Sequence, residues 1–418
     1  MKKTLLLSAI TALFIGCGSS DSSTTSTAQE VTVERGPIIR AIVIDANGQI
    51  AQEVGNGKYK FKNKPAYPLK ATGGFIDINR NNILDEGDVS NTLIYHNTDS
   101  EALTIVSSIA KDDKIRQYLR HSFNLTDNEI DDGLPQNNDK ISAISDVLYS
   151  YCVEKNISDP LNLSLSDVEN VENDIDNRLN LYNKDTNKAL LEKDLVENLP
   201  VHKLTKEDVE EISITGDNIN TENMQNIINN LPKENLSQEN KDILSHMWNE
   251  EKLAHDLYLK LYDLYPVETL NTIATRSEAR HEESIQNLIE KYDLNITSQD
   301  FNGSYNTDEL AKYDIGEFIS PSIQTLYNNL YDLGSKSEID ALKVGCMVEV
   351  TDVNDLDEYI NENNITTDMS IVFDHLRNGS YHHYWAFDAV LKSKGITNGC
   401  CSVGEEYCKT EEEYPKSK

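Results

Sequence analysis

Basic residues are scarce in this chain: 38 Lys and Arg stand against 71 Asp and Glu, a formal net charge of −33. A surface of that sign repels nucleic acid and anionic lipid and attracts cations, so nucleic-acid binding is excluded. Long apolar runs are also missing. After residue 20 no stretch reaches the roughly 18 to 20 apolar residues that a membrane-crossing helix requires. Cysteine is sparse, with six in 418 residues. Three of them crowd into the tail sequence GCCSVGEEYC, which lacks both a His and the ligand spacing of a zinc site. The chain is nevertheless too long for one ordinary core, and two or three domains are expected.

At the N-terminus, MKK supplies positive charge and TLLLSAITALFIG a short apolar core, followed by Cys17 and a Ser/Thr-rich tract. The pattern resembles a bacterial lipoprotein signal, with Phe14-Ile15-Gly16-Cys17 as its lipobox and Phe where Leu is usual. That resemblance implies removal of residues 1–16, lipid attachment at Cys17 and a flexible tether over 17–31. The implied location is the cell envelope, on the periplasmic or surface side of a bacterial membrane. In that compartment disulfides persist, and a bridge from Cys400 or Cys401 to Cys408 is expected. Cys346, beside Gly345, reads as a small packing residue, and Cys152 has no assigned partner.

Residues 32–97 show a period near two, in IIRAIVID, KYKFKN and YPLKATGGFIDI, punctuated by Asn-Gly and Gly-Asn-Gly. A small β-domain, a sandwich of immunoglobulin-like type, is the expectation. It runs into DINRNNILDEGD, where Asp77, Asn79, Asn81, Asp85 and Asp88 place oxygens at loop positions suited to a hard cation. This 77–88 stretch resembles the Asp-x-Asn-x-Asn calcium loops of bacterial surface proteins. Asn82 replaces the usual turn Gly, a position Asn tolerates, and Asp88 replaces the bidentate Glu. The simpler alternative is a solvated Asp/Asn turn.

Residues 98–235 form an acidic region. EALTIVSSIAKDDKIRQYLRHSF and KISAISDVLYSYCVEK have helical spacing, and from about 167 onward the thinning of apolar residues reads as a loose linker.

From residue 236 to 394 the periodicity strengthens into four helical segments, each with acids or His on its apolar stripe. In the first, Glu251 lies in phase with Leu244, Ala254, Tyr258 and Leu261. In the second, either Ile273 or Ala274 and either Ser277 or Glu278 share a face with Leu270, His281, Ile285 and Leu288. The third aligns Gly345, Glu349, Asp352 and Leu356; the fourth aligns Leu376, Gly379, His383 and Val390, with His375 and His382 one step round. A carboxylate within an apolar face is costly unless paired, protonated or bound to metal. The alternative for Glu278 and His281 is a wet turn paired with Arg276 or Arg280; the recurrence in four segments favours the interior.

EEKLAHDLY, SEARHEESI, DALKVGCMVEVTDVNDL and NGSYHHYWAF together resemble the ferritin-like superfamily, and within it an uncharacterised bacterial and archaeal family, DUF2202. The resemblance covers about two fifths of the chain and implies an all-α four-helix bundle with two metal ions, iron or alternatively manganese. It places ligands at Glu251, at Glu278 and His281, at Glu349 and at His383. The fourth-helix Glu is missing, Ser380 standing in its place, and Asp352 is the substitute ligand it suggests. The fold expected is thus multi-domain: β-domain, helical middle region, C-terminal ferritin-like bundle and a Cys-containing tail at 395–418. The function implied is redox or iron-handling chemistry with oxygen or peroxide, of oxidoreductase or ferroxidase type and with a redox partner. The alternative from another class is a calcium-binding adhesion or scaffold lipoprotein with a non-catalytic bundle.

Overall fold

The computed structural model describes residues 28–184, 188–216, 221–296, 304–306, 309, 313–362 and 364–416. The expected signal and Cys17 lie outside the described residues, as does most of the 17–31 tether.

The N-terminal region is all-β: β1 (Gln29–Val33), β2 (Ile38–Ile39), β3 (Ile42–Ile44), β4 (Gln52–Gly55), β5 (Lys58–Phe61), β6 (Leu69–Thr72), β7 (Phe75–Ile76), β8 (Val89–Ser90), β9 (Tyr95–Asn97) and β10 (Ala102–Leu103). Alternation decides which side chains enter the core: in β5, Tyr59 and Phe61 are buried and Lys58 and Lys60 exposed. The β4–β5 turn uses Asn56 and Gly57, both at positive φ, and a Cβ on Gly57 would lie 2.6 Å from the Val33 carbonyl oxygen. The strands form three small sheets, ordered β10-β1-β5-β4, β2-β7-β8 and β3-β6-β9. They do not form the two facing sheets expected of an immunoglobulin-like sandwich, since strands of two to five residues cannot build two continuous faces.

The β-region does not close on itself at residue 97. β10 pairs in parallel with β1, and Val31, Tyr59 and Phe61 share one apolar core with Ile105, Leu119, Ile144 and Leu148 of the following helices. Those helices are α1 (Ile105–Ile109), α2 (Asp113–Ser122), α3 (Asp127–Asp132) and α4 (Asp139–Lys155). The stretch read as a loose linker is also helical: α5 (Leu165–Asn170), α6 (Glu172–Tyr182), α7 (Lys188–Glu197), α8 (Lys206–Thr215) and α9 (Thr221–Asn230). Its few apolar residues are spent on neighbours. Met224, Ile227 and Ile228 pack with Trp248, Leu288 and Leu376. Capping boxes, Ser164 with Asp167 and Thr205 with Asp208, begin α5 and α8.

The C-terminal region is helical. α10 (Gln238–Leu264) starts at the Ser237 cap. α11 comprises Glu268–Thr272, a π turn over Ile273–Glu278, and Ala279–Lys291. α12 (Pro321–Gly334), α13 (Glu338–Glu362) and α14 (Thr367–Ser393) complete it. α10 packs against α11, α12 and α13, and α14 against α13. Two apolar clusters fill the interior. One holds Leu257, Tyr258, Leu270 and Phe387; the other holds Leu244, Met247, Leu288 and Leu376. Along α10 the clusters end at Trp248 and resume at Leu253, and along α11 they end at Ala274 and resume at Ile285. Glu251, Glu278 and His281 occupy those gaps.

Two disulfides hold the tail. Cys401 joins Cys408, one of the two pairings anticipated, and Cys346 joins Cys400, so Cys346 is a cross-link and not simply a small packing residue. Cys152 is a buried free thiol.

Candidate metal centre

The π turn is the local device that aims Glu278. A π turn adds one residue to the helical circuit and so changes the phase between the two halves of α11. Leu270 before it, Ala274 within it, and His281 and Ile285 after it can then all face inward with Glu278.

Glu251, Glu278, His281, Glu349 and His383 are all buried, none more than 2 % exposed. Their donor atoms fall into two overlapping groups of three, Glu251 with Glu278 and His281, and Glu278 with Glu349 and His383. Glu278 belongs to both. His281 Nδ1 lies 3.2 Å from Glu278 Oε2 and 3.4 Å from Glu251 Oε2. His383 Nδ1 lies 3.2 Å from Glu278 Oε1 and 3.1 Å from Glu349 Oε2. The two imidazoles stack with centroids 5.5 Å apart. Gly379 makes room: a Cβ there would meet His281 Cε1 at 2.5 Å and Nε2 at 2.6 Å.

Asp352 is placed differently. It is only partly buried, belongs to neither group of three, and accepts a hydrogen bond from Ser380 Oγ at 2.5 Å. The residue where a fourth-helix Glu was looked for therefore holds the carboxylate read as its substitute. Glu251, Glu278, Glu349 and Asp352 all line one cavity of about 210 Å³ between α10, α12 and α13. His382 faces elsewhere, with Nδ1 3.1 Å from the Ser213 carbonyl oxygen. His375 stands edge-on to His281 at 5.9 Å. Burial, and then the positive charge on His281, pushes His375 down to about 3.

Tyr258 shares the apolar stripe of α10, and its ring packs on Phe387 at 5.3 Å. Its hydroxyl also donates to Glu349 Oε1 at 2.5 Å, a contact that no periodicity predicts.

The protonation balance follows from crowding carboxylates out of water. Burial alone would lower His383, but Glu349 and Glu278 override it and hold the imidazole up at about 10. His281 is likewise raised well above its ordinary range by Glu251 and Glu278, against the effect of burial. Burial pushes Glu251 up to about 8, and raises Glu349 as well. Glu278 resists burial because His383 and His281 flank it, and its carboxyl is held low. Without metal, protons on the two imidazoles, and on Glu251 below about pH 8, offset the charge of the crowded acids.

The donor chemistry fits a pair of divalent cations. Three carboxylates and two imidazoles, with a fourth carboxylate adjoining, are hard-to-borderline ligands suited to iron or manganese. Glu251 Oε1 and His383 Nε2 are buried without a hydrogen-bond partner. A bound ion would satisfy the carboxylate oxygen.

The loop read as a calcium site is ordered by its own side chains. Asp77 accepts from the backbone N–H of Asn81 and Asn82, at 3.2 and 2.7 Å, and Asp88 from those of Ile78 and Asp85. Asn79 and Asn81 donate to Asp85, and Asn82 sits at φ 62°, the left-handed turn foreseen for it. Burial, against the two N–H donors, raises the Asp88 carboxyl to about 6.

Residues 240–409 match the family model described as an uncharacterised protein domain, DUF2202. The chain is similar to the uncharacterised protein MJ0754 of Methanocaldococcus jannaschii, 37 % identical over 172 residues, spanning 41 % of this chain and 85 % of that protein. The crystal structure of that hypothetical protein aligns with a TM-score of 0.34 at 36 % identity, over 40 % of this chain and 86 % of the other.

Proposed function

Through its C-terminal region the chain belongs to the DUF2202 family, and we propose that this region is a ferritin-like four-helix bundle holding a dinuclear metal centre, with iron as the metal and manganese as the alternative. The observation that carries the reading is the sharing of Glu278 between two ligand groups. Glu251, Glu278 and His281 would hold one ion and Glu278, Glu349 and His383 the other. Asp352 would add an oxygen from the cavity. Bound iron supplies one-electron chemistry with oxygen or peroxide, so the activity is of oxidoreductase or ferroxidase type. The residues of this chain set the donors, and the two apolar clusters above and below the polar layer restrict water.

The lipoprotein-like N-terminus supports an exported protein anchored through Cys17 to a bacterial membrane, working with a separate electron donor or acceptor. The likeness of the 77–88 sequence to calcium loops supports calcium binding there, as structure for the β-region and not as the redox site.

The test is metal content by mass spectrometry after loading with ferrous or manganous ion. The intact chain is expected to retain two ions that a Glu278→Ala, His281→Ala variant loses. Equal retention by both proteins would falsify the reading.

A further inference from the structure

One more set of side chains has the composition and spacing of a metal site. His246 and Glu250 are one turn apart on α10, with His246 Nε2 3.2 Å from Glu250 Oε1. Asp355 of α13 brings its Oδ2 to 4.0 Å from the same nitrogen. One imidazole nitrogen and two carboxylate oxygens, all within 4.8 Å of one another, form the donor set of a first-row divalent cation.

A His–Glu pair at this helical spacing is by itself an ordinary surface contact of little worth. Two observations separate this one from that class. Its second carboxylate comes from a different helix. Glu250 Oε2 is buried without a hydrogen-bond partner, an oxygen removed from water that a cation would satisfy.

The position is as informative as the chemistry. Side-chain exposure falls from 42 % at His246 and 31 % at Asp355 to 13 % at Glu250, and to 2 % at the adjoining Glu251. Glu250 also lines the cavity that holds Glu251, Glu278, Glu349 and Asp352. Asp352 precedes Asp355 by one turn of α13. The outer group therefore adjoins, through Glu250, the cavity that the inner carboxylates line.

We propose that His246, Glu250 and Asp355 form an outer divalent-cation site that captures ions and passes them through Glu250 to the buried pair. Capture by the outer three stands on its own geometry; delivery rests on the reading of the buried layer as a metal centre. A site of focused negative charge raises the local cation concentration and the entry rate by about tenfold or more.

The experiment is anaerobic titration of the chelator-treated full chain with Co2+ alone, followed by visible absorption and by stopped-flow loading. Three equivalents that excess Ca2+ does not displace are expected for the intact chain, one for each ligand group. The His246→Ala, Asp355→Asn variant should take two, reach the same final inner spectrum, and load about tenfold more slowly. Both replaced side chains are partly exposed, at 42 % and 31 %, and matching melting curves check that folding is preserved. A Glu278→Ala, His281→Ala variant should keep one equivalent, and lose it when His246→Ala is added. Three equivalents in the His246→Ala, Asp355→Asn variant, or only two in the intact chain, overturn the outer site; an unchanged loading rate overturns delivery. If the intact chain takes a single equivalent that His246→Ala abolishes, the buried-centre reading fails and delivery with it, while the outer site stands.

Discussion

Glu278 Oε1 lies 3.2 Å from Nδ1 of His383, and its other oxygen lies 3.2 Å from Nδ1 of His281, so one carboxylate from the end of a π turn joins imidazoles on α11 and α14. Glu278→Gln keeps the size and removes the charge that both sides share. Affinity at both inner positions is expected to fall by more than about 100-fold, beyond the usual effect of removing a group behind a ligand. Glu251→Gln should weaken one side only. Calorimetric titration separates the two patterns, and identical isotherms would count against a bridging Glu278.

Tyr258→Phe removes the donor to Glu349 Oε1 and little else, since the ring still packs on Phe387. Groups that orient a metal ligand are worth about 10 to 100-fold in affinity. The loss is expected in the Glu349 and His383 half, read as weakening of one of the inner binding phases.

The metal-free protein should lose stability as pH rises. His383 is held up at about 10 and His281 well above its ordinary range, so each favours the folded state fully below the unfolded imidazole value, about 6.5. That contribution disappears as pH passes through the folded values. Glu251, raised to about 8, acts in the same direction. Melting temperature of chelated protein is expected to fall between about pH 6.5 and 10. Metal replaces those protons, so the gap between loaded and chelated protein should widen over the same range, with protons released on binding. A flat profile for chelated protein would contradict the assigned protonation.

Gly379→Ala places a methyl 2.5 Å from His281 Cε1, and the helix backbone leaves the ring to move. Overpacking of this kind costs about 1 to 3 kcal/mol. Chemical denaturation should show that loss. Displacement of His281 should weaken the Glu251 side more than the Glu349 side, which distinguishes it from general destabilisation.

Helical phase alone was enough to place Glu251, His281 and Glu349 on inner faces, because a charged residue in step with Leu and Ile has few other places to go; it did not separate His382 from His383, a choice that rests on the family resemblance. It left Ser277 and Glu278 as alternatives for a physical reason: the extra residue of the π turn breaks the 3.6-residue count at that point. Tyr258, Gly379 and the Cys346–Cys400 link were invisible as site features, since each depends on what faces it from another helix. His246, Glu250 and Asp355 had no apolar stripe to mark them. The helices between 167 and 235 were obscured by their low apolar content, although the Ser164 and Thr205 capping boxes were present to be read. The parallel partner of β1 lay beyond the boundary drawn at residue 97, because pairing between strands is a property of the folded chain.

Cys346 stands one turn before Glu349 on α13, and its disulfide reaches Cys400 in the tail. The same tail is tied to α14: the Cys400 N–H donates to Asp388, Tyr384 Oη meets the N–H of Lys409 and the carbonyl of Tyr407, and the Trp385 indole donates to the Tyr414 carbonyl. Tyr384 and Trp385 directly follow His383. The tail thus acts as a cross-brace, bolted to one helix beside Glu349 and to the other beside His383. The separation of those two ligands is governed partly from outside the helices that carry them, and a fragment ending at residue 394 would keep both ligands while losing the strut that spaces them.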